Sequence, residues 1–482
     1  MKKLKVLLLI LFIIPCCWLF SACSMENSVY VTNIAKTNTE GSVDTYTIYY
    51  SDGSKSTITI ENGKDGENVT LNLEELFDSC VEKGIYENTA EDYRQFIQDY
   101  FSTEETNTET QLAINRSLQS AVSVYAAFPT SNVKYNFNNT YAISAGSGVI
   151  YSMDEESNTS YIITNYHVVY ATESATSSGI AEKIAVYQYG VIEDITVEQT
   201  HTSSYYASYN FGPNAVICDY VGGSLNYDIA VLKVRTSDLI YHNATAMSVK
   251  IASNYSVGET AIAVGNPEAE GISATKGIVS VDSENLEMKG ADNLTKVTFR
   301  VMRIDTSVNG GNSGGGLFNI KGELIGIVNA KAVASTNGSN LENMAYALPI
   351  DNVQKVVENI LYYNSQTNQV AQVKRLKLGI TTTPENGKST YNPLTGEIVV
   401  TNECLVESVS AGLANDMGVK AGDVILAVKI NDVTYNISRY FQLKDYLLNV
   451  RVNDKFELVI KNEQGEKTLT TTVQSKDISI VK

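Results

Sequence analysis

Between residues 112 and 363 the sequence consists of many short apolar runs, rich in Val, Ile, Thr and Tyr, that alternate with Gly, Asn and Ser. β-branched and aromatic residues favour strands, and small polar residues at short intervals favour turns. This pattern favours strands over long helices and is typical of a β-barrel or β-sandwich. The segment NVQKVVENILYY, residues 352–363, is predicted to be an amphipathic helix that closes the region.

The chain of 482 residues is too long for one core and indicates roughly three or four domains. Residues 24–110 read as a small α+β module: residues 44–66 alternate and break at SDGS, which predicts a hairpin. Two helices should follow, one through residues 73–81 and one that begins at Thr89. The composition of residues 102–110 is that of a linker, and residues 374–482 form a final domain of strands with one or two short helices.

Residues 1–23 have the pattern of an export signal. Three lysines precede an apolar run over residues 6–20, and the small residues Ser21 and Ala22 precede Cys23. The run is shorter than the roughly 18–20 residues that span a bilayer, so cleavage is expected rather than a permanent anchor. LFSAC resembles a bacterial lipoprotein cleavage box with Cys23 as the lipid-bearing residue, although Phe20 stands where Leu is usual. An ordinary signal-peptide cleavage is the alternative.

The negative charge of the chain argues against nucleic acids as partners. The formal charge is −18, and −21 once the three lysines of the first 22 residues are removed. A polyanion of this size repels phosphate backbones, so we expect no nucleic-acid binding.

The cysteines and histidines give no metal site. Cys80, Cys218 and Cys404 are scattered, without a CxxC pair, and we expect free buried thiols rather than a disulfide framework. The sequence has no HExxH and no pair of histidines at ligand spacing, which excludes a metalloprotease.

Three histidines limit the choice of a catalytic base. His167 lies in YIITNYHVVY, in a strand-like context, whereas His201 and His242 have no flanking motif and read as loop or surface residues. Ser313 lies in NGGNSGGGLF, where glycines allow a sharp turn close to a substrate. Serine needs an imidazole to take its proton, and backbone N–H groups, here those of Gly311 and Ser313, to stabilise the oxyanion. A glycine-rich surface turn is the alternative for this segment.

The order of these residues narrows the mechanism. GNSGG also fits the GxSxG of α/β-hydrolases, but there the histidine follows the serine, and no histidine follows residue 242. The order His, Asp, Ser of chymotrypsin-like enzymes points to Asp228 in SLNYDIAVLKV. A carboxylate that opens an apolar strand is explained if it receives the Nδ1–H of His167. A plain aspartate in a turn is the alternative.

TNYHVV, YDIAVLKV and GGNSGGGLF resemble the three catalytic blocks of the HtrA/DegP-like serine proteases. Other segments that resemble the family occur in the family's order along the chain: GSGVI, AVGNPEAEGISATKGIVS, GELIGIVNA and AYALPID. The resemblance covers residues 112–363. It implies a mainly β fold with two perpendicular six-stranded β-barrels of chymotrypsin type. It also implies His167 as general base, Asp228 as its orienter and Ser313 as nucleophile, without metal or cofactor.

Residues 374–482 resemble the PDZ domain that this family carries. LKLGI looks like the carboxylate-binding loop, in which the backbone N–H groups of Leu378, Gly379 and Ile380 would hold the C-terminus of a peptide tail. An ordinary buried strand is the alternative. The family further implies a homotrimer.

Departures from the family leave its specificity open. Gly316 stands where Pro is common, and Lys331 follows the stretch expected to line the primary specificity pocket. If the Lys331 amine does not point into this pocket, Val308 and residues 327–330 suggest a modest apolar pocket. The stretch 201–226, rich in Tyr and Ser, is a candidate activation loop.

The first hypothesis is therefore a serine endopeptidase of the bacterial cell envelope, lipid-anchored to the outer face of the cytoplasmic membrane. It would hydrolyse unfolded or misfolded exported proteins. The second is a non-catalytic surface protein, a peptide binder or chaperone on a protease scaffold, and a third is an adhesin that acts through its N-terminal module.

Overall fold

The computed structural model describes residues 31–40, 43–50, 53–61, 77–78, 81–82, 89, 108–129, 141–200, 206–292, 294–329, 344–393, 396 and 398–481. The chain divides into two compact units, Met1–Thr108 and Glu109–Lys482. Cys23, Cys80, His201 and Lys331, together with most of the two helices predicted after residue 70, lie outside the described residues. No helix in the described part of the chain has the length and apolar character needed to cross a membrane.

The N-terminal unit contains a three-stranded antiparallel sheet of β1 (Val31–Glu40), β2 (Val43–Tyr50) and β3 (Lys55–Glu61). β2 pairs with β3 around a turn in which Gly53 has a φ of 81°. The hairpin predicted over residues 44–66 is thereby confirmed as far as Glu61, since residues 62–66 lie outside the described residues, and β1 adds a strand that was not predicted.

The larger unit begins with a helix rather than a strand. Helix α1 (Glu109–Ser120) starts inside the segment predicted as a linker, and its buried residues are Ala113, Ser117 and Ser120. These small residues recur at helical spacing, and the Ser117 hydroxyl donates to the Ala113 carbonyl. Two of these three buried residues are serines, so the fully buried positions of α1 form no apolar periodic pattern in the sequence.

The first part of this unit is a closed six-stranded barrel. Strands β11, β6, β5, β4, β7 and β10 are neighbours in that order, and β10 pairs back with β11. β8 and β9 form a separate hairpin between β7 and β10. The predicted mainly β class is confirmed here. The elements are β4 (Ala121–Pro129), β5 (Tyr141–Asp154), β6 (Thr159–Thr164), α2 (Tyr166–Val169), β7 (Lys183–Gln188), β8 (Thr196–Thr200), β9 (Tyr206–Asn210), β10 (Val216–Ser224), β11 (Ile229–Val234) and α3 (Thr236–His242).

A second sheet follows, in the order β12, β17, β16, β13, β14, β15 and β18, and β18 pairs back with β17. The amphipathic helix predicted over residues 352–363 is confirmed as α4, in which Val353, Val356, Val357 and Ile360 are fully buried. The elements are β12 (Lys250–Ile251), β13 (Thr260–Gly265), a 3₁₀ turn (Pro267–Ala269), β14 (Ser273–Lys289), β15 (Lys296–Ile304), β16 (Gly316–Phe318), β17 (Glu323–Asn329), β18 (Ala345–Pro349) and α4 (Ile350–Thr367).

The C-terminal part forms a third sheet in the order β21, β22, β23, β25 and β26, with β24 paired to β23 and β21 at an edge. β19 pairs in parallel with β10 of the barrel, and β20 pairs with β27. The elements are β19 (Ala371–Gln372), β20 (Lys374–Leu376), β21 (Ile380–Tyr391), β22 (Ile398–Val409), α5 (Leu413–Met417), β23 (Val424–Ile430), β24 (Val433–Asn436), α6 (Phe441–Tyr446), 3₁₀ turns (Leu447–Asn449 and Ser475–Asp477), β25 (Lys455–Asn462), β26 (Gly465–Thr472) and β27 (Ile478–Ile480).

The C-terminal sheet has a core of its own, with Phe456 and Leu458 fully buried at its centre. It is nevertheless joined to the rest of the unit, because Leu448 and Val481 belong to the core cluster that contains the barrel strands and α4. A cavity between β15 and α6 is lined by Arg300, Phe441 and Lys444, among others.

Candidate active site

His167 lies on the single turn of helix α2, directly after β6. Tyr and Val favour strands, so the sequence predicts a strand-like context for this histidine. The structure corrects that expectation, because two hydrogen bonds fold the segment into a turn: the Val168 N–H donates to the Asn165 carbonyl (3.2 Å), and the His167 N–H donates to Asp228 Oδ1 (2.9 Å). The second bond is tertiary, so local propensity does not reveal it.

Asp228 is the last residue of the tight turn that joins β10 to β11. Its φ is 51°, in the left-handed region that Asp tolerates better than most residues. The Asn165 Nδ2 donates to the Asp228 carbonyl (2.8 Å) and holds this backbone in place. The turn thus aims the carboxylate back at the segment that carries His167.

The Asp228 carboxylate is fully buried, and its hydrogen-bond partners include His167 and Asn329. Oδ1 accepts the His167 N–H, and Oδ2 lies 2.7 Å from His167 Nδ1 and 3.0 Å from Asn329 Nδ2. Charge-assisted bonds of this kind are stronger than neutral ones, and they fix the plane of the carboxylate. The imidazole is consequently held with Nδ1–H toward Asp228, which leaves Nε2 as the acceptor.

Ser313 stands on the opposite side of the imidazole, with its Oγ 2.9 Å from His167 Nε2. This distance lies within the range in which a base takes a proton from a nucleophile. β17 holds the turn behind the serine, since the Gly314 N–H donates to the Val328 carbonyl (3.0 Å) and the Val328 N–H donates to that of Gly315 (2.8 Å). The three side chains predicted from the sequence therefore form one unbroken hydrogen-bonded chain.

Gly311 occupies a position that excludes every side chain. Its φ is 89°, and a Cβ there would lie 2.2 Å from the Asn266 carbonyl oxygen. The Gly310 carbonyl accepts the Glu268 N–H (2.7 Å). Because the C=O and N–H of a trans peptide point in opposite directions, the Gly311 N–H points away from Glu268. The oxyanion role predicted for Gly311 therefore does not compete with Glu268 for this N–H, and Ser313 follows two residues further on.

The neighbouring tyrosines add no charge to the site. Tyr166 stacks on Tyr170 with ring centroids 5.0 Å apart. Burial, together with the nearby Tyr170, raises the pKa of Tyr166 to about 12, so the phenol stays neutral at neutral pH. In the described residues, the charged group that contacts the imidazole is the carboxylate of Asp228.

Sequence reasoning missed Asn329 and Asn165, the two amides that hold Asp228. Asn329 ends the apolar strand β17 and is 2% exposed, and Asn165 is fully buried directly before α2. An amide in an otherwise apolar buried run is the signal that could have revealed both, since buried polar groups need partners.

The remaining residues discussed from the sequence are not part of the hydrogen-bonded chain of Asp228, His167 and Ser313. His242 ends helix α3 against the Tyr241 ring, in a helix rather than a loop. Val308 is half-buried, and Ile327 and Val328 are fully buried in core clusters, so the specificity pocket stays a prediction. Gly316 opens β16.

Leu378 and Gly379 form the turn between β20 and β21, with a Gly379 φ of 80°, and Ile380 begins β21. The segment is therefore a turn that leads into an edge strand, and not the continuous buried strand that was the alternative. In the described residues, no group of three His, Cys, Asp or Glu side chains could hold a metal ion.

Comparison with known proteins shows which proteins this chain is similar to. The profile of the trypsin-like peptidase domain matches residues 146–327. The serine protease Do-like HtrA of Lactococcus lactis subsp. cremoris (strain MG1363) is 28% identical over 393 residues, which cover 77% of this chain and 84% of that protein. The serine protease HtrA-like of Staphylococcus aureus (strain USA300) is 30% identical over 285 residues, which cover 58% of this chain and 31% of that protein.

Among solved structures, the HtrA-type protease AlgW with a tripeptide aligns with a TM-score of 0.45 at 24% identity, and the alignment covers 75% of this chain and 96% of that one. The peptidase profile spans both His167 and Ser313, and the HtrA proteases match over most of the chain. The chain is an HtrA/DegP-like serine endopeptidase with a trypsin-like peptidase domain.

Proposed function

We propose that the chain hydrolyses peptide bonds through an acyl-enzyme, with Ser313 as nucleophile, His167 as general base and Asp228 as the residue that orients the imidazole. The observation that carries this proposal is the continuous hydrogen-bonded chain Asp228–His167–Ser313. Serine alone is a weak nucleophile at neutral pH, and each link of the chain supplies part of its activation.

In the first half-reaction the Ser313 Oγ attacks the carbonyl carbon while its proton passes to His167 Nε2. Asp228 then stabilises the imidazolium through the bond to Nδ1 (2.7 Å). The N–H groups of Gly311 and Ser313 stabilise the oxyanion. His167 returns the proton to the leaving amine, and the acyl ester remains on Ser313. In the second half-reaction a water gives a proton to His167 and attacks the ester carbon. The bond to Ser313 Oγ then breaks, His167 returns the proton to Oγ, and the carboxylic acid product leaves.

The test compares Ser313→Ala with Ser307→Ala, an exposed serine of the same loop. Unfolded casein and a fluorophosphonate probe report cleavage and nucleophile, respectively. We expect both signals to vanish only in Ser313→Ala. A wild-type protein that folds but neither cleaves nor labels would favour the alternative, a non-catalytic surface protein that binds peptides on a protease scaffold.

We assign the C-terminal region a PDZ-type role in binding the C-terminal tails of unfolded or misfolded polypeptides. The Leu378 carbonyl accepts the Ala414 N–H (2.9 Å) and the Gly379 carbonyl accepts the Ser410 N–H (2.8 Å), so the N–H groups that follow point the other way. β21 is an edge strand, which suits the addition of a peptide strand. These features support Leu378, Gly379 and Ile380 as the loop that receives a terminal carboxylate.

Matched peptides test this role better than truncation does. Deleting residues 374–482 removes Leu448 and Val481 from the main core, so a loss of activity would have two explanations. We expect a peptide with a free C-terminal carboxylate to bind, measured by fluorescence anisotropy, and its C-terminal amide to bind at least about tenfold more weakly, because a charge-assisted hydrogen bond contributes about 1.5–3 kcal/mol. Equal affinities would contradict a carboxylate-binding loop.

The cellular setting follows from the export signal and the family resemblance. We propose that Cys23 carries a lipid that holds the protein at the outer face of the cytoplasmic membrane, where a homotrimer would degrade damaged exported proteins. Incorporation of an alkyne fatty acid into wild type but not into Cys23→Ser, with release of the variant from the membrane fraction, is the expected result. Equal incorporation in both would contradict it.

A further inference from the structure

The turn that carries Gly311 and Ser313 is held by its carbonyl groups. The Gly310 carbonyl accepts the Glu268 N–H (2.7 Å), and the Asn312 carbonyl accepts the Gly315 N–H (3.0 Å). The other two carbonyls are both held by Ser147 of β5. Its N–H donates to the Ser313 carbonyl (2.8 Å), and its Oγ donates to the Gly311 carbonyl (2.6 Å).

The Ser147 hydroxyl has one available orientation. Its Oγ accepts the Asn266 N–H at 2.7 Å, so its single proton is directed to the Gly311 carbonyl. Ser147 is fully buried, which removes competition from solvent. A buried hydroxyl that is satisfied on both sides is a rigid link between β5 and the turn.

The donor to this hydroxyl is itself fixed. Asn266 Oδ1 accepts the Gly271 N–H (2.8 Å), and Asn266 Nδ2 donates to the Tyr125 hydroxyl (3.3 Å), which in turn donates to Glu193. Asn266 follows β13, whereas Tyr125 belongs to β4 of the closed barrel. The position of the Ser147 hydroxyl is consequently set by β4 of the barrel and by the residue that follows β13 of the second sheet.

This clamp matters because Gly311 has no side chain to restrict its backbone. Glycine enters the φ > 0 region and leaves it at little cost, so the Gly311 peptide planes need an external restraint. Glu268 fixes the plane before Gly311 through the Gly310 carbonyl, and Ser147 fixes the plane after it. With both planes fixed, the Gly311 N–H has one direction.

We propose that Ser147 is a positioning residue for the oxyanion hole: its hydroxyl holds the Gly311 peptide so that the Gly311 N–H converges with that of Ser313 on the developing oxyanion. The inference rests on the roles proposed above for Gly311 and Ser313. Ser147 touches neither substrate nor the reacting atoms, and its effect is on the transition state rather than on substrate binding.

The test uses the purified full chain and compares Ser147→Ala with Ser160→Ala. Ser160 is an equally buried serine of the same barrel, whose hydroxyl pairs with Thr236 Oγ1 (2.8 Å) instead of the turn. Loss of a whole oxyanion donor lowers kcat by about 10²–10³, so a donor that has lost its clamp should lower kcat by roughly 10- to 100-fold. We expect this fall in Ser147→Ala with KM within about twofold, and a parallel fall in the fluorophosphonate labelling rate.

Each outcome bears on a different claim. A folded Ser147→Ala that matches Ser160→Ala in kcat, or that loses activity through KM alone, overturns the role of Ser147 and leaves the protease itself intact. If Ser147→Ala does not fold, Ser147→Cys retains the volume with a weaker donor, and a kcat equal to wild type in that variant overturns the proposal. A folded wild type that neither cleaves nor labels overturns the proposed function, and the role of Ser147 with it.

Discussion

Replacing Arg300 by methionine should destabilise the larger unit more than any exposed charge substitution on the same strand. Arg300 Nη1 lies 2.8 Å from Asp351 Oδ2 and 2.5 Å from Asp445 Oδ2, and its Nη2 lies 3.0 Å from the Tyr255 hydroxyl. The Arg300 and Asp445 side chains are only 9% and 5% exposed. The guanidinium thus links β15 to helix α6 of the C-terminal region through an ion pair whose two side chains are almost fully buried.

The magnitude follows from this burial. Removing one partner of a buried ion pair costs about 3–5 kcal/mol, because the other charge stays buried and unpaired. With an m-value of roughly 3 kcal/mol/M, the midpoint of urea unfolding should fall by about 1–2 M. Lys296→Met is the matched control: Lys296 lies on the same strand, 2.8 Å from Glu287, with both side chains exposed (77% and 59%). An exposed pair of this kind contributes at most about 1 kcal/mol.

The pH dependence gives an independent check. Burial raises the pKa of Asp445 even though Arg300 opposes the shift, so without Arg300 the pKa in the folded state must rise further above its unfolded value. A carboxyl with a raised folded pKa binds a proton on folding, and its destabilisation diminishes as the pH falls toward that pKa. The stability deficit of Arg300→Met should therefore be smaller at pH 5 than at pH 7.5.

A double variant, Arg300→Met with Asp445→Asn, should recover about half of the lost stability or more, since it removes the unpaired charge. The Asn352 amide would still have an oxygen to bond at residue 445. Urea unfolding of all three variants measures these differences. A cost below about 1 kcal/mol for Arg300→Met, or a deficit independent of pH, would refute the reasoning from burial.

Two further predictions concern single groups. Gly311→Ala should lower kcat by about 100-fold or more because its Cβ would meet the Asn266 carbonyl at 2.2 Å, whereas Gly258→Ala, with a φ of 86° and open space, should keep full activity in the casein assay. Burial raises the pKa of the Cys404 thiol to about 11 and that of Cys218 further, so iodoacetamide at pH 7.5 should label neither thiol until urea unfolds the protein. Equal activity of the two glycine variants, or rapid labelling of the folded protein, would contradict the respective argument.

The catalytic residues could be predicted from the sequence because the proposed chemistry requires a histidine, an aspartate and a serine, and these occur in the order known for one class of protease. The geometry brings His167, Asp228 and Ser313 together as predicted, because a base, an orienting acid and a nucleophile must lie within hydrogen-bonding distance. Helix α4 was predictable for a similar reason, since its buried valines recur at helical spacing.

What could not be predicted depends on tertiary contacts between common residues. Two of the three buried residues of α1, Ser117 and Ser120, are polar, so the buried positions show no apolar periodicity. The stretch 201–226, expected to be an activation loop, contains β9 and barrel strand β10. Ser147 lies in GSGVI, but the role proposed for it depends on two hydrogen bonds to residues more than 100 positions away, which the sequence does not reveal.

Replacing Asn329 tests how much its hydrogen bond to the Asp228 carboxylate contributes to catalysis. Its Nδ2 lies 3.0 Å from the Asp228 Oδ2 that also faces His167 Nδ1. A hydrogen bond to a charged group contributes about 1.5–3 kcal/mol, so Asn329→Ala should lower kcat by roughly tenfold or more, with little change in KM. The fall in kcat in Asn329→Ala should be smaller than the fall caused by removing Asp228 itself, because two hydrogen bonds from His167 still hold the carboxylate.

The control for this prediction is Asn319→Ala. Asn319 is a buried amide (4% exposed) at the other end of the hairpin β16–β17, where it bonds Glu323 instead of Asp228. Both substitutions remove one buried amide from the same hairpin, so their costs in stability should be comparable, whereas only Asn329→Ala should lower kcat. If the two variants lose activity to the same extent, the effect comes from the hairpin's stability, and the amide contributes nothing specific to the orientation of Asp228.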